Sequence, residues 1–179
     1  MNYCVDANVF ITVWHTTYPK DIFPSLYPEM ESKLLGKIIL IKPIFDEIEP
    51  ILPEKERKLI NGQISDNEKQ KLLEDHPVRI WLKRDMGISE TPITNEVEER
   101  TLELMEQYET DDISRGASRQ DISLIAYASL NGHTVVTLEA RQASSPRKKS
   151  NYKIPLICEE QEIACIGFTE MLKQCAIQV

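Results

Sequence analysis

The chain has 179 residues, 41% of them hydrophobic, and a formal net charge of −8 at pH 7. This is enough for a single domain, residues 1–179, with a sizeable buried core. The acidic balance excludes a surface that is basic throughout, as in proteins coated by nucleic acid, although it allows a local basic patch. No apolar run is long enough to span a membrane and the N-terminus has no secretory pattern, so we expect a cytoplasmic protein without a membrane partner.

The first third of the chain is predicted to alternate short strands with short helices. Its elements are a strand at 3–5, a helix at 8–14, a helix at 28–35 that stops at Gly36, a strand at 38–41 and a short helix over PIFDEIEPILP that is limited by Pro50.

Residues 54–108 are interpreted as a helical, insertion-like region within the same domain. Its first part is highly charged but carries apolar residues throughout, which favours helices packed over the core rather than disorder. After a loop at 87–94, a long amphipathic helix is predicted at 95–108. The apolar positions of this helix are Val97, Leu102, Leu104 and Met105.

The last third of the chain has the clearest pattern. QDISLIAYASLNG predicts a helix that ends at Gly132, and TVVTL predicts a buried strand directly after it. YKIPLIC and IACIG are two further strand candidates, and FTEMLKQCAI is predicted to close the chain as a helix. Strands that alternate with helices predict an α/β fold, a three-layer sandwich around a central, mostly parallel sheet.

Asp6 follows the first predicted strand, at the edge of a parallel sheet where active sites collect. The alternative is that Asp6 only caps the helix behind it, by accepting a hydrogen bond from a backbone N–H. Taken alone, the residue does not decide between these two roles.

A second acid, Asp121, is in helical register with Ile125 and Ala128, which predicts that its carboxylate lies on the buried stripe of its helix. A buried carboxylate needs a partner, such as a metal ion or a basic group, because burying it unpaired costs several kcal/mol. The alternative is a purely structural role, since Asp121 also falls in the first helical turn, where the helix dipole stabilises an anion.

The segment PIFDEIEP holds three further candidates, Asp46, Glu47 and Glu49. If the isoleucines of this segment form its buried stripe, Asp46 points to solvent, while Glu47 and Glu49 flank the stripe on opposite sides. Periodicity does not choose between these two, and the position of Glu49 before Pro50 only slightly favours Glu47. A solvated helix face is the alternative for the whole segment.

Glu139 repeats the pattern of Asp6, because it follows the buried run TVVTL where the chain leaves the predicted sheet. Two strand ends therefore carry carboxylates. Since the carboxyl ends of parallel strands meet at one edge, we expect both acids at the same place.

In this order and at these distances, VDANVF, FDEIE, QDISLIAYA and VVTLE resemble the four acidic motifs of the PIN-domain superfamily of metal-dependent nucleases. The opening YCVDANVFI…YPKDIFPSLY is similar to a PIN-like branch of unknown function. The resemblance spans nearly the whole chain, except that residues 54–108 carry no motif residue. It implies a Rossmann-like sandwich and phosphodiester hydrolysis that leaves a 5′-phosphate and a 3′-hydroxyl.

The resemblance also implies a ligand set for Mg²⁺ or Mn²⁺. The residues that would hold the ion and act in catalysis are Asp6, Glu47, Asp121 and Glu139. PIN domains more often have aspartate in the fourth position, which Glu139 occupies here. Asn8 and Thr137 match small polar positions that would support the carboxylates by hydrogen bonds. Hard oxygen ligands suit both ions, and crowded carboxylates would repel one another without a cation.

The segment RQASSPRKKSNYK directly follows this fourth acid and contains no acidic residue. Its basic residues are Arg141, Arg147, Lys148, Lys149 and Lys153. We predict that this segment, residues 141–153 and hereafter the basic loop, holds a nucleic-acid backbone near the metal. The alternative is a solvated, flexible loop.

The leading hypothesis is a metal-dependent endoribonuclease that acts as the toxin of a toxin–antitoxin pair, with RNA as substrate and an antitoxin protein and a second copy of the chain as further partners. The main alternative is a non-cleaving PIN-like module that binds RNA or a protein. A phosphatase that uses Asp6 as nucleophile is less favoured, because the second aspartate expected two residues later is Asn8.

Overall fold

The computed structural model describes residues 1–110 and 115–178. At its centre is a four-stranded, all-parallel sheet in the order β2-β1-β3-β4. The strands are β1 (Tyr3–Val5), β2 (Ile38–Ile39), β3 (Thr134–Val136) and β4 (Cys165–Ile166). Helices flank the sheet, which confirms the predicted α/β three-layer sandwich.

The register of the sheet places two site candidates side by side. Val5 pairs with Val136, so the next residues along the two strands, Asp6 and Thr137, leave the sheet together at its carboxyl edge. The backbone N–H of Asp6 donates to the carbonyl of Val136 over 3.0 Å. The parallel pairing therefore sets the distance between residues that lie 131 positions apart in the chain.

Short helices connect and cover the strands. They are α1 (Ala7–Thr12), α2 (Leu26–Lys33), α3 (Lys42–Glu47), α4 (Pro53–Ile60), α5 (Asp66–Asp75), α6 (Pro77–Arg84), α7 (Asn95–Gln107), α8 (Arg119–Asn131), α9 (Ile154–Glu160) and α10 (Phe168–Gln174). Prolines stand in the first turns of α3, α4, α6 and α9, where a missing N–H costs no helical hydrogen bond. None of the described helices is long and apolar enough to cross a membrane.

The helix α6 packs directly into the core. Its Trp81 is buried and lies 6.0 Å from Phe10 and 5.3 Å from Tyr27, measured between ring centroids. The indole N–H of Trp81 donates to Glu31 over 2.7 Å, which satisfies the one polar atom of this side chain. For residues 54–108 we predicted helices that pack over the core, and this prediction is confirmed for α6.

Two local predictions were wrong. YKIPLIC was expected to be a strand, but Ile154–Glu160 forms the helix α9, with Pro155 in its first turn and Ile157 and Cys158 on its buried side. A short apolar run fits either a strand or a buried helix, and here the proline and the helical spacing prevail. Leu102 was expected to face the core, but it is 51% exposed on α7.

Candidate functional site

Asp6 is a buried carboxylate, with an exposed fraction of 2%, at the carboxyl end of β1. It is the N-cap of α1, and its Oδ1 accepts a hydrogen bond from the backbone N–H of Asn8 over 3.2 Å. Its Oδ2 accepts from the hydroxyl of Thr137 over 3.0 Å. The capping role is therefore confirmed, but in the described part of the chain no cation pairs with Asp6.

The surroundings of Asp6 disfavour its ionised form. Burial, the charge of Asp121 and the charge of Glu139 together raise the pKa of Asp6 to about 6, although the two hydrogen bonds lower it. Near neutral pH this group is largely ionised, and its buried charge then costs the folded protein stability. A cation beside it would remove that cost.

Glu47 is the last residue of α3, and its carboxyl group belongs to the same electrostatic neighbourhood. The residue as a whole is exposed, although its carboxyl group is partly buried. Burial of that group, followed by the charges of Asp121 and Asp6, raises the pKa of Glu47 to about 7. The charge of Asp6 therefore makes ionisation of Glu47 less favourable.

The neighbouring acids of this segment have other partners. Oε2 of Glu49 accepts from the backbone N–H groups of Val78 and Arg79, at 2.8 and 3.3 Å, and its Oε1 lies 2.8 Å from Nε2 of His15. Asp46 is exposed and pairs with Lys42 at 2.7 Å. These contacts separate Glu49 and Asp46 from the site.

Asp121 lies in the first turn of α8 and forms a capping box with Ser118. Its Oδ2 accepts from the backbone N–H of Ser118 over 2.8 Å, and its own N–H donates to the Ser118 hydroxyl over 3.2 Å. The prediction that this carboxylate lies on the buried stripe of the helix was wrong, since Asp121 is only half-buried while Ile125 and Ala128 are buried. The side chain bends back to the helix start, which turns it away from the buried stripe.

Glu139 lies three residues beyond the end of β3 and is half-buried. Its Oε2 accepts from the backbone N–H of Ile154 at the start of α9 over 2.9 Å, and Nζ of Lys153 lies 3.9 Å from its Oε1. Burial raises the pKa of Glu139, and Asp121 raises it further, against the opposing effects of Ile154 and Lys153. Glu139 is thus the one acid of the four with a cation described beside it.

Thr137 joins two of these acids. Its hydroxyl donates to Asp6 and accepts from the backbone N–H of Glu139 over 3.2 Å. Asn8 contributes its backbone N–H to Asp6, while the residue itself is exposed. The hydrogen-bonding support expected of Asn8 thus comes from its main chain.

The carboxylate cluster, defined as Asp6, Glu47, Asp121 and Glu139, supplies the hard oxygen donors that Mg²⁺ and Mn²⁺ prefer. Mutual repulsion among its members and the raised pKa of Asp6 and Glu47 fit a cation at this place. Within residues 1–110 and 115–178, however, no three acidic, histidine or cysteine side chains are already arranged to hold an ion. The donor chemistry fits a divalent cation, and binding would require side chains of the cluster to move toward it.

The two ends of the basic loop are hydrogen-bonded to each other. Gln142 accepts from the backbone N–H of Lys153 over 2.8 Å and donates to the carbonyl of Asn151 over 3.1 Å. The segment before α8 pairs with the same stretch, because the N–H of Gly116 donates to the carbonyl of Ser150 over 3.0 Å. A Cβ on Gly116 would lie 2.4 Å from the carbonyl oxygen of Tyr152. This close packing places the end of the loop beside the start of the Asp121 helix.

The basic side chains lie at different distances from the cluster. Arg141 shares a small cavity of about 70 Å³ with Thr137 and Glu139, and Lys153 lies beside Glu139. Lys149 is exposed, with its Nζ 5.6 Å from the ring centroid of Tyr108. Arg147 and Lys148 are also exposed, and among the described residues neither forms an ion pair. Only Arg141 and Lys153 are therefore at the cluster itself.

A larger cavity, of about 240 Å³, lies between α4, α5 and α6, with Leu59, Leu73 and Ile80 in its wall. It contains no member of the carboxylate cluster.

Sequence reasoning missed Ser118 and Gln142, which hold the site in place. Ser118 precedes Asp121 by three residues, which is a capping-box spacing and could have been recognised. Gln142 gave no comparable signal.

Comparison with protein families gives a match over nearly the whole chain. A family model described as Domain of unknown function (DUF4411) matches residues 3–179, nearly the whole chain. No match is found among curated proteins or among solved structures.

Proposed function

We propose a function for this chain from its own carboxylates, because the chain belongs to the DUF4411 family, whose description gives no activity. The proposed function is metal-dependent hydrolysis of RNA phosphodiester bonds by a PIN-like nuclease. The proposal combines the motif resemblance with the arrangement of the carboxylate cluster.

One observation carries the proposal. Asp6 is almost completely buried, accepts hydrogen bonds only from neutral donors among the described residues, and has Asp121 and Glu139 as charged neighbours. The repulsion among these crowded carboxylates is unfavourable to the fold. Acids that are costly to the fold and lie at the carboxyl edge of a parallel sheet are typical of functional sites.

The cluster would hold Mg²⁺ or Mn²⁺, with Asp6 and Glu47 as the most strongly perturbed ligands and Asp121 and Glu139 beside them. Such an ion, when bound, lowers the pKa of water for attack at phosphorus and neutralises charge on the leaving oxygen. Thr137 fixes the orientation of Asp6 through its hydroxyl. Lys153 and Arg141 stand next to Glu139, where they can attract a phosphate group.

The basic loop supports a polyanionic substrate. The chain carries a net charge of −8, yet five basic residues fall within residues 141–153 with no acid among them. The loop is hydrogen-bonded to the segment that leads into α8, so its charge is held near the cluster. We propose RNA as the substrate on the basis of the PIN resemblance. Binding to an antitoxin protein and formation of a homodimer are further proposals.

A second candidate function is a non-cleaving module that binds RNA or a protein. It is favoured because two acids of the cluster already accept backbone hydrogen bonds. Asp121 accepts from the N–H of Ser118, and Glu139 accepts from the N–H of Ile154. If those hydrogen bonds persist on binding, fewer oxygens remain for an ion.

Labelled single-stranded RNA and DNA, incubated with Mg²⁺, Mn²⁺ or EDTA, test the proposal directly. The wild type is expected to cut RNA with either metal, to stop in EDTA, and to leave 5′-phosphate and 3′-hydroxyl ends. Asp6→Asn is expected to abolish cutting while retaining the helix cap, because asparagine caps helices as well as aspartate does. Tight RNA binding without cleavage under every metal condition would favour the non-cleaving module.

A further inference from the structure

A buried arginine holds the end of the helix that carries Glu47. Arg79, on α6, has an exposed fraction of 5%. Its Nη1 donates to the carbonyl of Phe45 over 2.8 Å and to the carbonyl of Ile48 over 3.3 Å. Its guanidinium carbon lies 4.4 Å from the centroid of the Phe45 ring. Glu47 stands between the two residues whose carbonyls Arg79 binds.

The charge of Arg79 is balanced away from the site. Its Nε donates to Oε1 of Glu56 over 2.7 Å, and the side chain of Glu56 is 12% exposed. Lys83 reaches the other oxygen of Glu56 at 2.9 Å. The buried guanidinium therefore has an ionic partner on one side and backbone acceptors on the other, which offsets its desolvation.

The chain just after Glu47 is bound to the same helix. Glu49 has a φ of 42°, a left-handed conformation that side chains rarely adopt. Its carboxylate accepts from the N–H groups of Val78 and Arg79 at the start of α6, and Nδ1 of His76 lies 3.1 Å from its carbonyl oxygen. The helix α6 thus contacts the backbone before and after Glu47.

We infer that Arg79 is a positioning residue for the carboxylate cluster, and that the Arg79 clamp (Arg79 with Phe45, Ile48 and Glu49) sets the place of Glu47 relative to Asp6. This inference rests on the proposed function, because it concerns the affinity of the cluster for a divalent cation. It assigns a role to the helical region of residues 54–108, because the helix α6 of this region would position one ligand of the site. A positioned ligand binds better because less order is lost on binding.

Calorimetric titration of the purified protein with Mn²⁺ tests the inference without an activity assay. Arg79→Met removes the hydrogen bonds to both carbonyls but keeps an apolar stem on Phe45. It is expected to weaken Mn²⁺ binding about tenfold, as loss of a group that orients a metal ligand does elsewhere. Arg100→Met is the matched control, because Arg100 also binds two side chains, Glu103 and Gln161, but is not in the clamp. The control should bind Mn²⁺ as the wild type does.

Arg79→Lys keeps a cation beside Glu56 but lacks the planar fork that reaches both carbonyls. It is expected to fold and to bind Mn²⁺ more weakly than the wild type, which distinguishes positioning from loss of the fold. Wild-type affinity in a folded Arg79→Lys or Arg79→Met protein would overturn the inference. Absence of saturable Mn²⁺ binding in the wild type would instead overturn the proposed function, so the two failures are distinguishable.

Discussion

The hydroxyl of Thr137 donates a hydrogen bond of 3.0 Å to Oδ2 of Asp6, which joins the carboxyl ends of β3 and β1. The same hydroxyl accepts from the backbone N–H of Glu139. One neutral side chain therefore orients the most buried acid of the cluster and fixes the backbone of another.

Thr137→Val removes this link with almost no change in shape. We expect a loss of about 1–2 kcal/mol in the free energy of unfolding, because Asp6 loses a donor and the N–H of Glu139 loses an acceptor. The pKa of Asp6 should rise further, since this hydrogen bond favours its ionised form. Chemical denaturation gives the first value. Thr134→Val is the matched control, because Thr134 lies on β3 and is buried as Thr137 is, and equal losses in the two variants would contradict the assigned role.

Without metal, Asp6 should make the protein less stable as the pH rises. Its pKa in the folded protein is raised from 3.8 to about 6, so its contribution to stability is fully present below about pH 4 and is lost as the pH rises through 6. Glu47 extends the same loss toward pH 7. In EDTA, Asp6→Asn should match the wild type near pH 4 and exceed it at pH 8 by on the order of 3 kcal/mol. A difference in the free energy of unfolding between the two proteins that stays constant from pH 4 to pH 8 would refute the electrostatic description of the site.

Gly116→Ala should loosen the basic loop without changing the carboxylates. The new Cβ would lie 2.4 Å from the carbonyl oxygen of Tyr152 and 2.7 Å from that of Ser150, so the two segments must separate. We expect weaker RNA binding with unchanged Mn²⁺ affinity, measured by fluorescence anisotropy and calorimetry. Gly167→Ala is the control, since its Cβ would meet no atom within 4 Å. An RNA affinity equal to that of the control would show that the loop does not depend on this packing.

Reversing the charge of Lys148 and Lys149 to glutamate should weaken RNA binding and lower the slope of log Kd against log salt by about 2, because fewer counterions are released. Lys69 and Lys71, exposed on α5, provide a double reversal of equal charge away from the loop. The loop is a solvated segment without a binding role if both double variants lose affinity equally.

Asp121→Asn should separate binding from chemistry. It removes one negative charge from the cluster, so RNA should bind as well as before or slightly more tightly, while cleavage falls by orders of magnitude. Asparagine can still accept the hydrogen bond from Ser118, which preserves the capping box. Binding and single-turnover cleavage on the same RNA check this prediction, and undiminished cleavage would remove Asp121 from the catalytic set.

The sheet could be predicted because its strands are short apolar runs followed by polar or turn residues. Asp6 and Glu139 were identified for the same reason, since both follow such runs. The helix α9 was not predicted, because YKIPLIC has strand-like composition, although Pro155 and the spacing of the buried Ile157 and Cys158 fit a helix. Leu102 is exposed because the buried side of α7 is narrower than its apolar residues suggest.

From the residues alone, the choice between Glu47 and Glu49 favoured Glu47 only slightly, through the proline that follows Glu49. It depends on α6, whose Val78 and Arg79 lie 29 and 30 residues after Glu49 and occupy its carboxylate. Arg79 itself gave no signal, because an arginine on an amphipathic helix ordinarily faces solvent. Such contacts arise from tertiary structure, which local periodicity does not contain.

The central claim is that Asp6 and Glu47 belong to one divalent-cation site, and a calorimetric titration with Mn²⁺ of Glu47→Gln and Asp46→Asn tests it most directly. Asp46 and Glu47 are adjacent on α3, and each of these substitutions removes one negative charge. Asp46, however, pairs with Lys42 outside the cluster. We predict that Glu47→Gln weakens Mn²⁺ binding at least as much as Asp6→Asn does, while Asp46→Asn binds as the wild type. Equal affinity in Glu47→Gln and Asp46→Asn would contradict the claim.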